Sequence, residues 1–205
     1  PTNNIIKRYC DRYHFLLNRG VGLHIIVVTK RCNHLCVYCQ AGRAEFQNEK
    51  YDMNEETAKK TVDLIFQTPA NSFTIEFQGG EPLLNWKIIK FIIEYAKTKN
   101  EIFKKRLSFS LVTNLSLMTD DKYKYLIDNN INICTSLDGP KDVHNKNRPF
   151  FNKEGTYDRV VFWIKKMRKN EKENNLKRTL SALPTLTEYS LENIKEVIDE
   201  YIKHN

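Results

Sequence analysis

Two hydrophobic periods alternate along the chain. Short apolar runs of strand length recur at His24–Thr29, Phe73–Gln78, Leu107–Thr113, Asn132–Leu137 and Arg178–Leu183. Between and after them, apolar residues return every three or four positions: Ala58, Thr61, Val62 and Ile65; Ile88, Ile89, Ile92 and Ala96; Tyr123, Leu126 and Ile127; Val160, Trp163, Ile164 and Met167; Ile194, Val197, Ile198 and Tyr201. Each such stripe predicts an amphipathic helix. Asn54, followed by Glu55 and Glu56, and Thr119 and Ser190 are the expected caps. The second helix is expected over about Asn85 to Lys99, and the third from Thr119 to Asn129. Residues 1–22, with Cys10 and several tyrosines, read as an irregular lead-in to a core spanning 23–205. A polar loop is expected up to Gly155, and a charged linker over Lys169–Asn175.

Five strand-then-helix units in succession imply a parallel sheet, because parallel neighbours need a helical crossover. Polar or glycine-rich groups recur where the strands end: the segment after Thr29, Gln78-Gly79-Gly80-Glu81-Pro82, Thr113-Asn114 and Ser136-Leu137-Asp138-Gly139. A barrel brings such ends onto one rim, whereas a doubly wound sheet gathers its site at a switch point. The expected fold is therefore α/β, a partial (β/α) barrel with parallel strands.

With 205 residues and 40% hydrophobic content, the chain can bury one sizeable core. No run approaches the roughly 18 apolar residues of a membrane span, and no charged-then-apolar leader opens it. A soluble, cytoplasmic protein without a membrane partner is expected. The chain opens on Pro1 rather than Met and reads as a piece of something longer. The net charge of +8 is dispersed over pairs such as Lys59-Lys60 and Lys165-Lys166. No long basic run with interleaved aromatics appears, so these are read as solvated faces and a nucleic-acid partner is not expected.

Of five cysteines, Cys32, Cys36 and Cys39 lie at C-x3-C-x2-C spacing just after the first strand. The other two, Cys10 and Cys134, are isolated, unlike a secreted disulfide framework. Cubane clusters are held by cysteine thiolates, normally four. A local set of three suggests a cubane with one iron open to a small molecule. The alternatives are zinc completed by His34 or a distant residue, or a chance cluster of thiols; structural zinc sites usually come as two separated pairs. Cys134 alternates onto the same face as Ser136, where a buried reduced thiol is expected. Cys10 and His34 read as incidental, and no acid or base stands out, since most carboxylates fall on helix faces.

Cys32–Cys39, with its Tyr-Cys ending, and Gly79-Gly80-Glu81-Pro82 together resemble radical S-adenosylmethionine enzymes over about residues 24–200. Gln78–Pro82 and Ser136–Pro140, followed by His144 and Arg148, are similar to the subgroup of SPASM-type peptide maturases and anaerobic sulfatase maturases. Cys-Val-Tyr-Cys-Gln-Ala and Ser181-Ala182-Leu183-Pro184 resemble the maturase of the His-Xaa-Ser peptide system. The resemblance implies a [4Fe–4S] cluster on Cys32, Cys36 and Cys39, with S-adenosylmethionine chelating the open iron and cleaved to a 5′-deoxyadenosyl radical. It implies a peptide or protein substrate and an electron donor such as flavodoxin or ferredoxin. RNA or small-molecule substrates, and a zinc-binding interaction module, are the alternatives.

The resemblance also assigns cofactor contacts. Glu81 and the backbone at Gln78, Gly79 and Gly80 would receive the methionine ammonium; read alone, they are a strand-ending turn. Tyr38 would pack the adenine, though a lone strand-end tyrosine is more often core filler. Ser136 would bind the ribose, Arg148 the carboxylate, and Asn114 and Asp138 complete the set; Asn114 serves equally as a turn former. Leu115 stands where many relatives have glycine, and Asn145 where many have aspartate. Relatives use six βα units and carry auxiliary clusters beyond the barrel, so an incomplete enzyme holding one cluster is expected.

Overall fold

The computed structural model describes residues 2–176 and 180–204. Its strands are β1 (Leu23–Thr29), β2 (Ser72–Gly79), β3 (Arg106–Val112), β4 (Ile131–Ser136) and β5 (Leu180–Leu183). They form one parallel sheet in the order β1-β2-β3-β4-β5. The helices are α1 (Thr2–Asn18), α2 (Glu55–Ile65), α3 (Trp86–Phe103), α4 (Asp120–Asp128), α5 (Lys141–Asn147), α6 (Tyr157–Glu173), α7 (Glu188–Leu191) and α8 (Ile194–Lys203). Arg178 and Thr179, expected to open the fifth strand, lie outside the described residues.

Strand order equals chain order, so no crossover reverses direction. Crossovers of one hand then place their helices on one side of the sheet. Burial follows. Ile26 and Val28, Phe73, Ile75 and Phe77, Phe109 and Leu111, and Ile131 and Ile133 turn one face toward Val62, Ile89, Ile92, Leu126, Ile164 and Met167. The opposite face carries Ile25, Val27, Thr74, Glu76, Ser108 and Ser110, none of them fully buried. This is the expected partial barrel: a sheet with a helical outer layer and an open inner face.

Caps hold where their chemistry was legible. Asn54 accepts from Thr57 N at 2.8 Å, and Thr119 accepts from Lys122 N at 3.3 Å. Four expectations are corrected. The segment read as an irregular lead-in is helical over Thr2–Asn18; it contains no glycine or proline, and Ile5, Ile6, Tyr9 and Tyr13 recur at helical spacing, although all four stay exposed. The segment read as a polar loop contains α5, whose inward positions include polar His144 and Asn147 alongside Val143. The charged linker is instead the last turns of α6, built from good helix formers and supported by an Arg168–Glu171 ion pair at 2.8 Å. Ser190 lies inside α7, and α8 starts after Asn193 without a side-chain cap. On α8, Val197 is buried while Ile194 and Ile198 are exposed. No described helix is long and apolar enough to cross a membrane.

Candidate functional site

The C-terminal ends of the strands open on a cavity of about 200 Å³. Cys32, Cys36, Cys39, Tyr38, Gln78, Gly79, Gly80, Asn114, Ser136 and Arg148 all line it. Residues separated by more than a hundred positions are thus gathered as the strand-end pattern implied. Glu81 and Asp138, expected among the cofactor contacts, are fully buried and are not among the lining residues.

The cysteine loop is held by groups the sequence did not single out. Buried Arg31 donates to Asp52 through Nε at 2.8 Å and Nη2 at 2.5 Å, and through Nη1 to the Phe46 carbonyl at 3.1 Å. Thr29 donates to the same Asp52 at 2.6 Å. A bidentate arginine fixes orientation as well as distance, so the return segment is locked to the end of β1. Asn33, inside the cysteine motif, donates to Ser116 Oγ at 2.7 Å and accepts from Asn114 Nδ2 at 3.0 Å. Asn114 therefore lines the cavity while tying the cysteine loop to the end of β3.

Gly79 and Gly80 permit close backbone approach. A Cβ on Gly80 would meet the Arg31 carbonyl oxygen at 2.2 Å, and one on Gly79 the Thr29 carbonyl oxygen at 2.4 Å. The adjoining amides use this proximity: Gly80 N donates to Thr29 O at 2.9 Å and Glu81 N to Arg31 O at 2.7 Å. Glu81 is turned into the protein, where its carboxylate accepts from Leu83 N at 3.0 Å, Thr113 Oγ1 at 2.7 Å and Asn114 N at 2.8 Å. Burial pushes its carboxyl upward while these donors oppose the shift. Its carboxylate binds the ends of β2 and β3 together.

Asp138 plays the matching part at β4. Its carboxylate accepts from Tyr38 OH at 2.7 Å, Arg148 Nε at 2.8 Å and Thr185 N at 3.0 Å. The Arg148 guanidinium lies 5.2 Å from the Tyr38 ring centroid, and its Nη1 reaches Cys36 Sγ at 3.9 Å. His144 Nδ1 accepts from Asp138 N at 3.2 Å, so its Nε2 carries the proton and donates to Thr156 Oγ1 at 3.1 Å. Ser136, in contrast, borders the cavity with a hydroxyl that bonds no described residue.

Burial raises Cys32 to about 12 and raises Cys36, whose shift Arg148 opposes. Such thiols lose their protons to solvent when they bind a metal centre as thiolates. Three thiols bordering one cavity fit a cluster in which each thiolate takes its own iron. His34 is buried against Phe150, with ring centroids 5.0 Å apart, and desolvation drives it down to about 3.

A further residue escaped the sequence reading. Glu76 sits mid-strand on the open face, next to Gln78 on the same side. The signal was present: Phe73, Ile75 and Phe77 alternate with Thr74, Glu76 and Gln78, so the carboxylate is a strand residue facing away from the core.

Residues 26–203 match the sequence family described as the Radical SAM superfamily. The chain is 33% identical over 136 residues to an uncharacterized protein of Methanocaldococcus jannaschii, covering 65% of this chain and 44% of that one. It is 26% identical over 170 residues to a cysteine-type anaerobic sulfatase-maturating enzyme of Clostridium novyi, covering 77% and 43% respectively. The fold matches the solved structure of native anSMEcpe with bound AdoMet and Cp18Cys peptide, at a TM-score of 0.71 and 24% identity, over 89% of this chain and 47% of that one. The chain therefore spans less than half the length of these proteins.

Proposed function

Since the chain belongs to the radical SAM superfamily, we propose that its cysteine loop holds a [4Fe–4S] cluster and that it cleaves S-adenosylmethionine reductively to modify a peptide or protein. The observation that carries this reading is the cavity itself. Three thiols from one loop border the same space as Gly79-Gly80, Ser136, Tyr38 and Arg148. Cys32, Cys36 and Cys39 would hold the cluster, and the Arg148 guanidinium beside Cys36 offsets thiolate charge. Gln78, Gly79 and Gly80 present backbone at the rim for the methionine end. Ser136 offers its unengaged hydroxyl to the ribose. Tyr38 is oriented by Asp138 and covered by Arg148 at the nucleoside end. A cluster held there would supply one-electron reduction to S-adenosylmethionine bound beside it. The chain's own share is to position the cofactor and exclude competing reactions.

The peptide class is supported by likeness to sulfatase-maturating enzymes and to a neighbour solved with a peptide. A small electron carrier of the flavodoxin or ferredoxin kind would reduce the centre. Anaerobic reconstitution should yield about four irons and four sulfides per chain, and 5′-deoxyadenosine on adding dithionite and cofactor. Alanine at Cys32, Cys36 or Cys39 should abolish both. Ser136→Ala should weaken cofactor binding by about 0.5–1.5 kcal/mol, one hydrogen bond's worth. Full iron content and cleavage in the triple cysteine variant would overturn the assignment.

A further inference from the structure

We propose that Glu76 recognises a basic side chain of the peptide substrate, an inference that rests on the peptide reading above. The strand register places Glu76 between Ile25 of β1 and Ser110 of β3, with Ser110 beside Asn132 of β4. Gln78, two residues on and about 7 Å further along the same face, lines the cofactor cavity. Glu76 therefore stands on the open face one layer below the reaction centre, within reach of a substrate whose reacting atom sits above it.

Its carboxylate is oriented but not neutralised. One oxygen accepts from Gln78 Nε2 at 2.6 Å and the other from Ser110 Oγ at 2.9 Å. Both donors are uncharged, and each oxygen keeps a lone pair free for another donor. Among the described strand residues on this face, the other charged one is Arg106, four residues from Ser110 and about 13 Å along β3. A half-buried carboxylate without a cation attracts one more strongly than a surface carboxylate does.

The surroundings suit a particular shape of cation. On the β1 side, Ile25 and Val27 are 53% and 50% exposed, which leaves an apolar wall uncovered. On the β3 side the lining is hydroxylic, Ser110 with Ser108 bonded to Thr74 at 2.7 Å. Lysine and arginine pair an aliphatic stem with a charged head. The stem would lie along Ile25 and Val27 while the head meets Glu76.

The test uses the reconstituted protein and a fluorescent Gly-Ser peptide carrying one central lysine, norleucine or glutamate. Anisotropy should show the lysine peptide binding at least about tenfold tighter than the norleucine one. Glu76→Gln keeps the side-chain shape and should remove that preference; Glu76→Lys should shift it toward the glutamate peptide. Equal affinities of the parent protein for lysine and norleucine peptides, no measurable binding of any, or an unchanged preference in Glu76→Gln would overturn the proposal. The binding readout needs no turnover. A parent protein that made no 5′-deoxyadenosine would therefore count against the cofactor reading and leave the lysine preference still decisive for Glu76.

Discussion

Leu115 carries the end of β3 through a left-handed turn at φ 60° with its side chain fully buried. Leucine there costs about 1–2 kcal/mol of backbone strain, but its burial stabilises by more, since emptying a buried leucine site costs about 2.7–5 kcal/mol. Burial wins, so the left-handed turn is kept with leucine in it. Leu115→Gly should relieve strain yet lower unfolding free energy by about 1–3 kcal/mol in urea titrations. His144 sets a pH window. Desolvation lowers it to about 4 from an ordinary 6.5. Between those values the unfolded chain binds a proton that the folded one refuses, so stability falls as pH drops from 6.5 to 4 and is flat above. The stability advantage of the parent over His144→Gln should shrink by roughly 2–3 kcal/mol between pH 7 and 4. A constant difference across that range would show that the imidazole is not held neutral.

Among the elements, α6 shows capping from outside its own segment. Its first amides, Thr156 N and Tyr157 N, donate to Asn145 Oδ1 at 2.9 and 3.0 Å. Thr156, the residue in the cap position, makes no side-chain bond of its own there. Asn145 thus supplies the acceptor that the helix start needs. Asn145→Ala should cost about 1–2 kcal/mol in thermal or urea unfolding. Asn145→Asp keeps the acceptor and adds a negative charge at a helix N-terminus, so it should be neutral or stabilising by about 0.3–1 kcal/mol.

On the scale of the whole molecule, β5 pairs with β4 and has no further strand neighbour among the described residues. Leu183 on that strand, with Leu186, Leu191 and Ile198 close along the chain, is exposed. An unpaired edge next to exposed apolar groups is a template for self-association. Sedimentation velocity should show association rising with protein concentration, and Ile198→Lys should reduce it. A strictly monomeric chain at high concentration would rule this out.

Sequence alone determined what depends on local chemistry and short period. The alternation of Phe73, Ile75 and Phe77 with polar neighbours, the stripes of α2 and α3, and the C-x3-C-x2-C spacing each require only nearby residues. So do the strand-end motifs, whereas it is the fold that brings ten of the twelve expected site residues to the border of one cavity. Tertiary structure decided the rest, because a polar group's role depends on which partner reaches it. Glu81 and Asp138 carry the composition of ligand-binding carboxylates, yet three protein donors close around each. Arg31, Asn33 and Asn145 look like loop residues until Asp52, Ser116 and the amides of α6 come within bonding distance. α5 stayed invisible because its inward positions mix polar His144 and Asn147 with Val143, whereas α1 was legible in the helical spacing of Ile5, Ile6, Tyr9 and Tyr13, four side chains that stay exposed. Glu76 was one more acidic residue until the parallel register turned it onto the face that the helices leave open.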